Sequence, residues 1–342
     1  MDLFTPILSN EQLHPNFRNV MAADRTSQRA VVQSWAEGFP DRDGKFVGEF
    51  QRTFNSSFWE VYLHGLFKAY GFEMDWGHPT PDFWLKTVRG EVIVEAVTAN
   101  SAAGAISEWE KTASITKDVA EKNFWPLNRE AIIRLSSAML GKLRKYQQSY
   151  RKLPHVPGKP FVLAIAPFEQ PDFQYQYDRP IQALLYDHYV DETAYFKDRS
   201  KYPNGPPSRL LGSVEKDSGT TIDMGIFMSD AWQEVSAVIF SCVATWGKAV
   251  AMSTQQPCGT VETSWGEGPQ GIPKRRTVPI GAPSETISDG LIIFHNPHAT
   301  NPLKLDTFRR VGVVQHFLTS DDWQDEGKDG SLQFRLTTQF RG

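Results

Sequence analysis

Glu95, inside the apolar run "VIVEAV", is the residue that most restricts what this chain can fold into. A carboxylate flanked on both sides by Val, Ile and Ala is costly to bury unless cations or hydrogen-bond donors meet it, so the fold must bring partners to it from elsewhere in the sequence. The run "EVIVEAVTA" and the preceding "PDFWLKTV" both read as strands, and Arg89-Gly90 between them reads as a two-residue hairpin turn. That turn sets Val88 against Glu91, Trp84 against Glu95 and Asp82 against Val97. Side chains alternate with period two, so Asp82 and Glu95 then share one face, diagonal to each other at roughly 7–8 Å. Two carboxylates so placed suit one hard divalent cation, Mg²⁺ or Mn²⁺, which accepts oxygen ligands from one or two carboxylates and keeps water or phosphate oxygens elsewhere.

The flanking segments set the class. "NSSFWEVYLHGLFKAYGF" reads as an amphipathic helix with Trp59, Leu63, Leu66 and Tyr70 at helical spacing, caps offered by Asn55 to Ser57, and Gly71 as its stop. "REAIIRLSSAMLGKLRKYQQSY" carries Ile132, Leu135, Met139, Leu143 and Tyr146 on one stripe, and "KPFVLAIAPF" reads as a buried strand. Helix, strand, strand, helix, strand over residues 54 to 168 predicts an α/β fold with a central mixed sheet flanked by helices. Residues 1–48 are expected to form an N-terminal helical extension. Residues 49–342 form the main domain, with a core at about 50–170, an insertion at about 170–232, and C-terminal strands and loops over 233–342. Within the last part "VSAVIFSCVA" and "DGLIIFHNP" are strand candidates, separated by a Gly/Pro-rich segment from about 255 to 285.

Hydrophobic residues make up 40% of the chain and aromatics 12%, ample for a packed core. The longest apolar stretches fall short of the about 20 residues a bilayer span needs, and "MDLFTPILSN" lacks the pattern of a leader. A soluble cytoplasmic protein with no membrane partner is therefore expected. Two cysteines, Cys242 and Cys258, support neither a disulfide framework nor a cysteine zinc site. The net charge of −4 does not suggest a polyanion partner, but from Arg129 to Lys159 the only acidic residue is Glu130, against eight Lys or Arg. Alone, this run reads as a solvated helix face and a basic loop.

Pro81-Asp82, the acidic Glu95, and a preceding helix carrying Glu60 together resemble the PD-(D/E)xK phosphodiesterase superfamily, the restriction-endonuclease-like fold of many restriction and repair nucleases. The resemblance covers about residues 50 to 170. The family's lysine should follow the acid by two positions, where this chain has Val97. The next helix offers Lys142 and Lys145, and Lys142, at the flank of the apolar stripe, is the better placed. The resemblance implies that Asp82 and Glu95, joined by the main-chain carbonyl of Ala96, ligate Mg²⁺ or Mn²⁺. It implies that Glu60 binds a second cation or orients water, and that Lys142 stabilises charge on the transition state. Arg134, Lys145, Arg151 and Lys152 would then contact a phosphate backbone. The function so implied is a magnesium-dependent endonuclease, most readily of DNA, suited to restriction or antiviral defence by fold analogy alone. Double-strand cutting would call for a homodimer. The alternative is a catalytically degenerate nuclease fold, its lysine lost at Val97, that serves as a nucleic-acid-binding or assembly module.

Simpler readings compete residue by residue. Ser57-x-x-Glu60 matches a capping box, Asp82 after proline can begin a turn, Glu95 can face water on an edge strand, and Lys142 can snorkel from an apolar rim. His295 and His298 in "HNPHATNPL" lack a completing ligand, which favours a structured loop, and Lys274-Arg275-Arg276 reads as an exposed loop offering a second contact to nucleic acid. No phosphate-cradling glycine loop or nucleophile elbow occurs.

Overall fold

A computed structural model describes residues 1–102, 104, 106–110, 117–254, 258–267, 272–319 and 322–339. Four helices open the chain: α1 (Pro15–Val20), α2 (Thr26–Trp35), α3 (Phe46–Arg52) and α4 (Phe54–Ala69). Strands β1 (Glu73–Asp75), β2 (Phe83–Thr87) and β3 (Gly90–Thr98) follow, then the short α5 (Lys117–Ala120), the long α6 (Trp125–Gln148) and β4 (Phe161–Ala166). Next come α7 (Arg179–Tyr186), β5 (Tyr189–Val190), α8 (Glu192–Lys197), β6 (Ser208–Arg209), β7 (Ser213–Glu215), β8 (Thr221–Asp223), β9 (Ala237–Phe240) and α9 (Trp246–Met252). The chain finishes with β10 (Gly259–Glu267), β11 (Ile272–Pro279), β12 (Ile292–His295), β13 (Val314–Leu318), β14 (Trp323–Glu326) and β15 (Leu332–Gln339).

Eight of these strands form one mixed central sheet in the order β1-β2-β3-β4-β9-β12-β13-β14, with helices packed on it. The α/β reading therefore holds, with one strand more than expected between α4 and α6. β3, β4 and β9 run parallel and are buried along nearly their whole length, as parallel strands covered on both faces must be. The strands expected in "VSAVIFSCVA" and "DGLIIFHNP" are β9 and β12.

α4 departs from the one-faced helix its spacing suggests. Besides Trp59, Leu63 and Leu66 it buries Phe54, Phe58, Val61, Tyr62 and Phe67, because α2 and α3 cover one side while the sheet covers the other. A Cβ at Gly65 would lie 2.7 Å from the Cβ of Trp35, so α2 and α4 approach as closely as a glycine permits. Trp59 Nε1 donates to the Ala164 carbonyl of β4 at 2.9 Å. Leu3, Phe17, Val32 and Trp35 belong to the same hydrophobic core as the sheet. The helix begins one turn earlier than Asn55 to Ser57 would place it, with Thr53 as N-cap, so Ser57 and Glu60 are interior and form no capping box. Gly71 does end it, at φ 74°, with its N–H on Lys68 O and that of Phe72 on Phe67 O.

The Lys274-Arg275-Arg276 triplet is not in a loop. The Gly/Pro-rich segment holds the β10–β11 hairpin, which with β15 forms a three-stranded antiparallel sheet; residues 255–257 and 268–271 lie outside the description. Lys274, Arg275 and Arg276 consequently sit on β11, exposed, with Lys274 and Arg276 paired to Glu267 at 3.3 and 2.5 Å. Among the described residues no helix is long and apolar enough to cross a membrane.

Candidate active site

The β2–β3 hairpin brings the two predicted carboxylates together, but in another register. Phe83 pairs with Val94 and Thr87 with Gly90, so the turn is Val88-Arg89 rather than Arg89-Gly90. Thr87 decides this: its Oγ1 accepts from Arg89 N at 3.0 Å and donates to Gly90 O at 2.8 Å, closing the turn one residue early. The whole pairing shifts by two, which preserves the face. The ladder ends at Phe83–Val94, and Asp82 lies in the bend just before β2, close enough for its charge and that of Glu95 to act on each other.

Asp82 is held at the end of β2. Its Oδ2 accepts the Ala96 N–H at 2.7 Å, and the loop before it is fastened by Arg42, which donates to His78 O at 2.7 Å and to Asp82 O at 3.1 Å. His155 Nε2 meets Thr80 O at 3.0 Å, so that nitrogen carries the proton. On β3, the N–H groups of Ile93 and Ala99 go to Pro160 O and Ala166 O on the β4 side. In an extended strand a residue's N–H and C=O point the same way and alternate along the chain. The peptide groups of Ala96 therefore face β2, its N–H on Asp82 and its carbonyl beyond the last β2 pair.

Glu95 is completely buried. Its Oε1 accepts three donors: Lys142 Nζ at 2.7 Å, Lys145 Nζ at 3.2 Å and the Tyr150 hydroxyl at 3.0 Å. Its Oε2 has no partner. The lysines arrive on α6, whose buried residues Ile132, Leu135, Met139, Leu143 and Tyr146 seat the helix on the sheet as the apolar stripe predicts. Lys142 is 23% exposed and Lys145 48%, matching the expected order of approach to solvent. Val97, where the lysine of the resembled family would stand, is half-buried.

The electrostatics follow from three carboxyls in a confined place. Burial, and then the charge of Asp82, push the Glu60 carboxyl up to about 8. Burial and the charge of Glu95 raise Asp82 to about 6, against the opposing pull of Lys142 and the Ala96 N–H. For Lys142 burial favours the neutral amine, but Glu95 and Asp82 outweigh it and its pKa rises. Burial, and then Glu95, raise Tyr150, which stays a neutral hydroxyl donor.

Among the described residues no three His, Cys, Asp or Glu side chains gather closely enough to hold a metal ion by themselves. The set along the β3 edge differs in kind: two carboxylates and one main-chain carbonyl, with Oε2 of Glu95 buried and unsatisfied. A buried acceptor without a donor costs about 1–3 kcal/mol, and a hard cation bound through these oxygens and water would remove that cost. The donor set fits such an ion.

The remaining predicted contacts divide. Arg151 and Lys152 are exposed in the turn that carries Tyr150, and Lys145 lies beside them at the end of α6. Arg134 is on α6 about 16 Å before Lys145 at 1.5 Å per residue and is paired with Glu130 at 2.7 Å. Arg129 and Lys159 are paired with Asp217 and Glu91, at 2.9 and 3.2 Å. His295 and His298 hold no site: the first bonds Gln315 at 2.9 Å and the second reaches Asp230 at 3.1 Å. Sequence reasoning missed Tyr150, Arg42 and His155, whose roles arise from tertiary contacts across 55, 40 and 75 residues.

Comparison of the chain with protein-family models, with curated proteins and with solved structures found no match. The functional reading therefore rests on geometry.

Proposed function

We propose that this protein is a metal-dependent nuclease of restriction-endonuclease-like fold that hydrolyses phosphodiester bonds, with DNA as the substrate. The observation that carries the reading is the Glu95 carboxylate: buried, near Asp82, approached by two lysines, and with Oε2 left unpartnered. The element order supports it, since α4, β1, β2, β3, α6 and β4 run helix, three strands, helix, strand, with β3 parallel to β4.

Asp82, Glu95 and the Ala96 carbonyl would hold Mg²⁺ or Mn²⁺, and such an ion supplies Lewis acidity to a phosphate and a lowered pKa to a bound water. The chain's own residues do the rest. Lys142 reaches from the next helix to the carboxylate that β3 presents, so an ammonium is available where the sequence has Val97, and it would stabilise negative charge on the phosphorane oxygens. Glu60, held largely protonated at neutral pH, would orient the attacking water or, once deprotonated, a second cation. Lys145, and Arg151 and Lys152 exposed in the turn that carries Tyr150, would bind the phosphate backbone, with Arg134 further along α6. Restriction or antiviral defence is the setting that a nuclease without a motor would suit, and a homodimer would allow both strands to be cut.

The test is cleavage of plasmid and single-stranded DNA with Mg²⁺ or Mn²⁺. Asp82→Ala and Glu95→Ala should each lower the rate by about a thousandfold or more, and Lys142→Ala by about a hundredfold, the range over which electrostatic groups act. Cleavage that survives the first two changes would remove the site. Binding without cleavage under either metal would leave a degenerate nucleic-acid-binding module.

A further inference from the structure

A second cavity, of about 460 Å³, lies at the opposite end of α6, where α7, α8, β14 and β15 meet. Its rim includes Phe124, eighteen residues before Lys142, which at 1.5 Å per residue puts it about 27 Å along the helix from the Glu95 site. The volume is that of a small-molecule pocket. Two aromatic pairs form walls: Phe124 with Phe196, ring centroids 6.1 Å apart, and Tyr175 with Phe334 at 5.2 Å.

The polar floor has a fixed donor and acceptor pattern. Gln182 Nε2 lies 2.7 Å from Asp178 Oδ2, and a carboxylate only accepts, so the amide nitrogen must face that way. Gln182 Oε1 then faces His188 Nδ1 at 3.0 Å, which must carry the proton, and His188 Nε2 is left as an acceptor. The second amide hydrogen of Gln182 points to His316 Nε2 at 3.3 Å, and the fully buried His316 donates through Nδ1 to Asp325 at 2.5 Å. Lys328 and Trp323 Nε1 close the chain on Asp325. His188 stands exposed at the cavity edge, where partial desolvation lowers its pKa against the pull of Asp178 and Asp325. On the same wall Arg179 pairs with Glu192 through Nη1 at 3.0 Å, donates to Tyr175 O through Nη2 and lies 5.6 Å over the Phe124 ring, with Nε buried and unpartnered. A set of four interlocked side chains thus serves to aim one imidazole lone pair into an aromatic-walled space, and the mechanism at Glu95 uses none of it.

We propose that this cavity binds a nucleobase, its ring stacked against Tyr175 and Phe334 and one of its N–H groups donating to His188 Nε2. A neutral, flat, polar-edged ring matches walls that carry π faces and a rim on which the acids Asp178, Glu192 and Asp325 stand beside the cations Arg179 and Lys328. Such a base can come from a free nucleotide or from a nucleotide turned out of a strand, which is read by stacking and by hydrogen bonds to its edge. The proposal does not depend on the reading of the Glu95 site.

The experiment measures binding of AMP, CMP, GMP and UMP by calorimetry. In parallel it follows the fluorescence of a DNA duplex carrying an unpaired 2-aminopurine. Saturable mononucleotide binding identifies a free nucleotide as the ligand. A fluorescence rise without it identifies a base turned out of the duplex. In either arm His188→Ala and Phe334→Ala should weaken binding at least about tenfold, whereas Glu95→Gln should leave it unchanged, which separates this outcome from any failure of the nuclease. Should either cavity variant unfold, AMP against its N6,N6-dimethyl derivative, or duplexes carrying the corresponding two bases, gives the same contrast on the wild-type protein. Neither signal, or binding indifferent to both the cavity variants and the blocked amine, would overturn the proposal.

Discussion

Among the described residues Glu285 and Glu95 are both buried beside cations, and the difference between them shows what distinguishes a saturated ion cluster from an unsaturated one. Glu285 is inaccessible, and both its oxygens are filled: Oε1 by Arg335 Nε at 2.7 Å, Oε2 by Lys248 Nζ at 2.8 Å and Arg335 Nη2 at 3.1 Å. Its cations are saturated as well. Lys248, itself fully buried, also donates to Thr286 O and Asp289 O, and Arg335 donates to Val243 O. This cluster ties α9 and β15 to the loop before β12. Glu95 is equally buried and has two lysines and a tyrosine, but all three crowd onto one oxygen, and the lysines remain partly in solvent. The first arrangement is complete without a ligand. The second leaves one carboxylate oxygen, Oε2, buried without a partner.

The comparison can be broken by stability before any activity is measured. Glu285→Ala leaves two buried cations unpaired and should cost about 3–5 kcal/mol, read as a fall in the denaturant midpoint. Glu95→Gln should change stability by less than about 1 kcal/mol, because its lysines can turn to water. Equal losses at the two positions would mean that Glu95 is only a structural counterion.

A smaller effect sharpens it. The Glu60 carboxyl is raised to about 8 in the folded protein, above its ordinary value of 4.5, so the native state binds the extra proton. Its contribution is present at low pH and is lost as pH rises through 8, so the metal-free protein should lose stability between about pH 5 and 8. Glu60→Gln should flatten that slope in melting curves taken across the range. Mg²⁺ should flatten it too, by compensating the charge that forms.

Much of this was legible in the sequence because it rests on local pattern. The stripe Ile132 to Tyr146 placed α6 correctly, and a buried run with Glu95 at its centre announced a carboxylate needing partners. The flanking position of Lys142 picked the nearer cation. The hairpin register was not legible from turn residues alone. Thr87's hydroxyl competes for the turn, and Asp82 lies in a bend outside the ladder, where its carboxylate takes the Ala96 N–H. β1 escaped because three residues show no period. β10 escaped for another reason: Val261, Thr263 and Trp265 do alternate inward, but the glycines and prolines around them masked the signal. Tyr150 and the His188 relay could not be read from sequence, since each is made by contacts between elements far apart in the chain.

Oε2 of Glu95, with Asp82 and the Ala96 carbonyl, is the cation site that the proposed nuclease needs. Titrating Mn²⁺ into the protein and following the free-ion electron paramagnetic resonance signal tests it most directly. Wild-type protein should deplete that signal saturably, and Glu95→Gln should weaken the binding at least about tenfold, a loss of about 1.4 kcal/mol. Mn²⁺ that stays free in the presence of wild-type protein, or that binds the variant as tightly, would contradict the account.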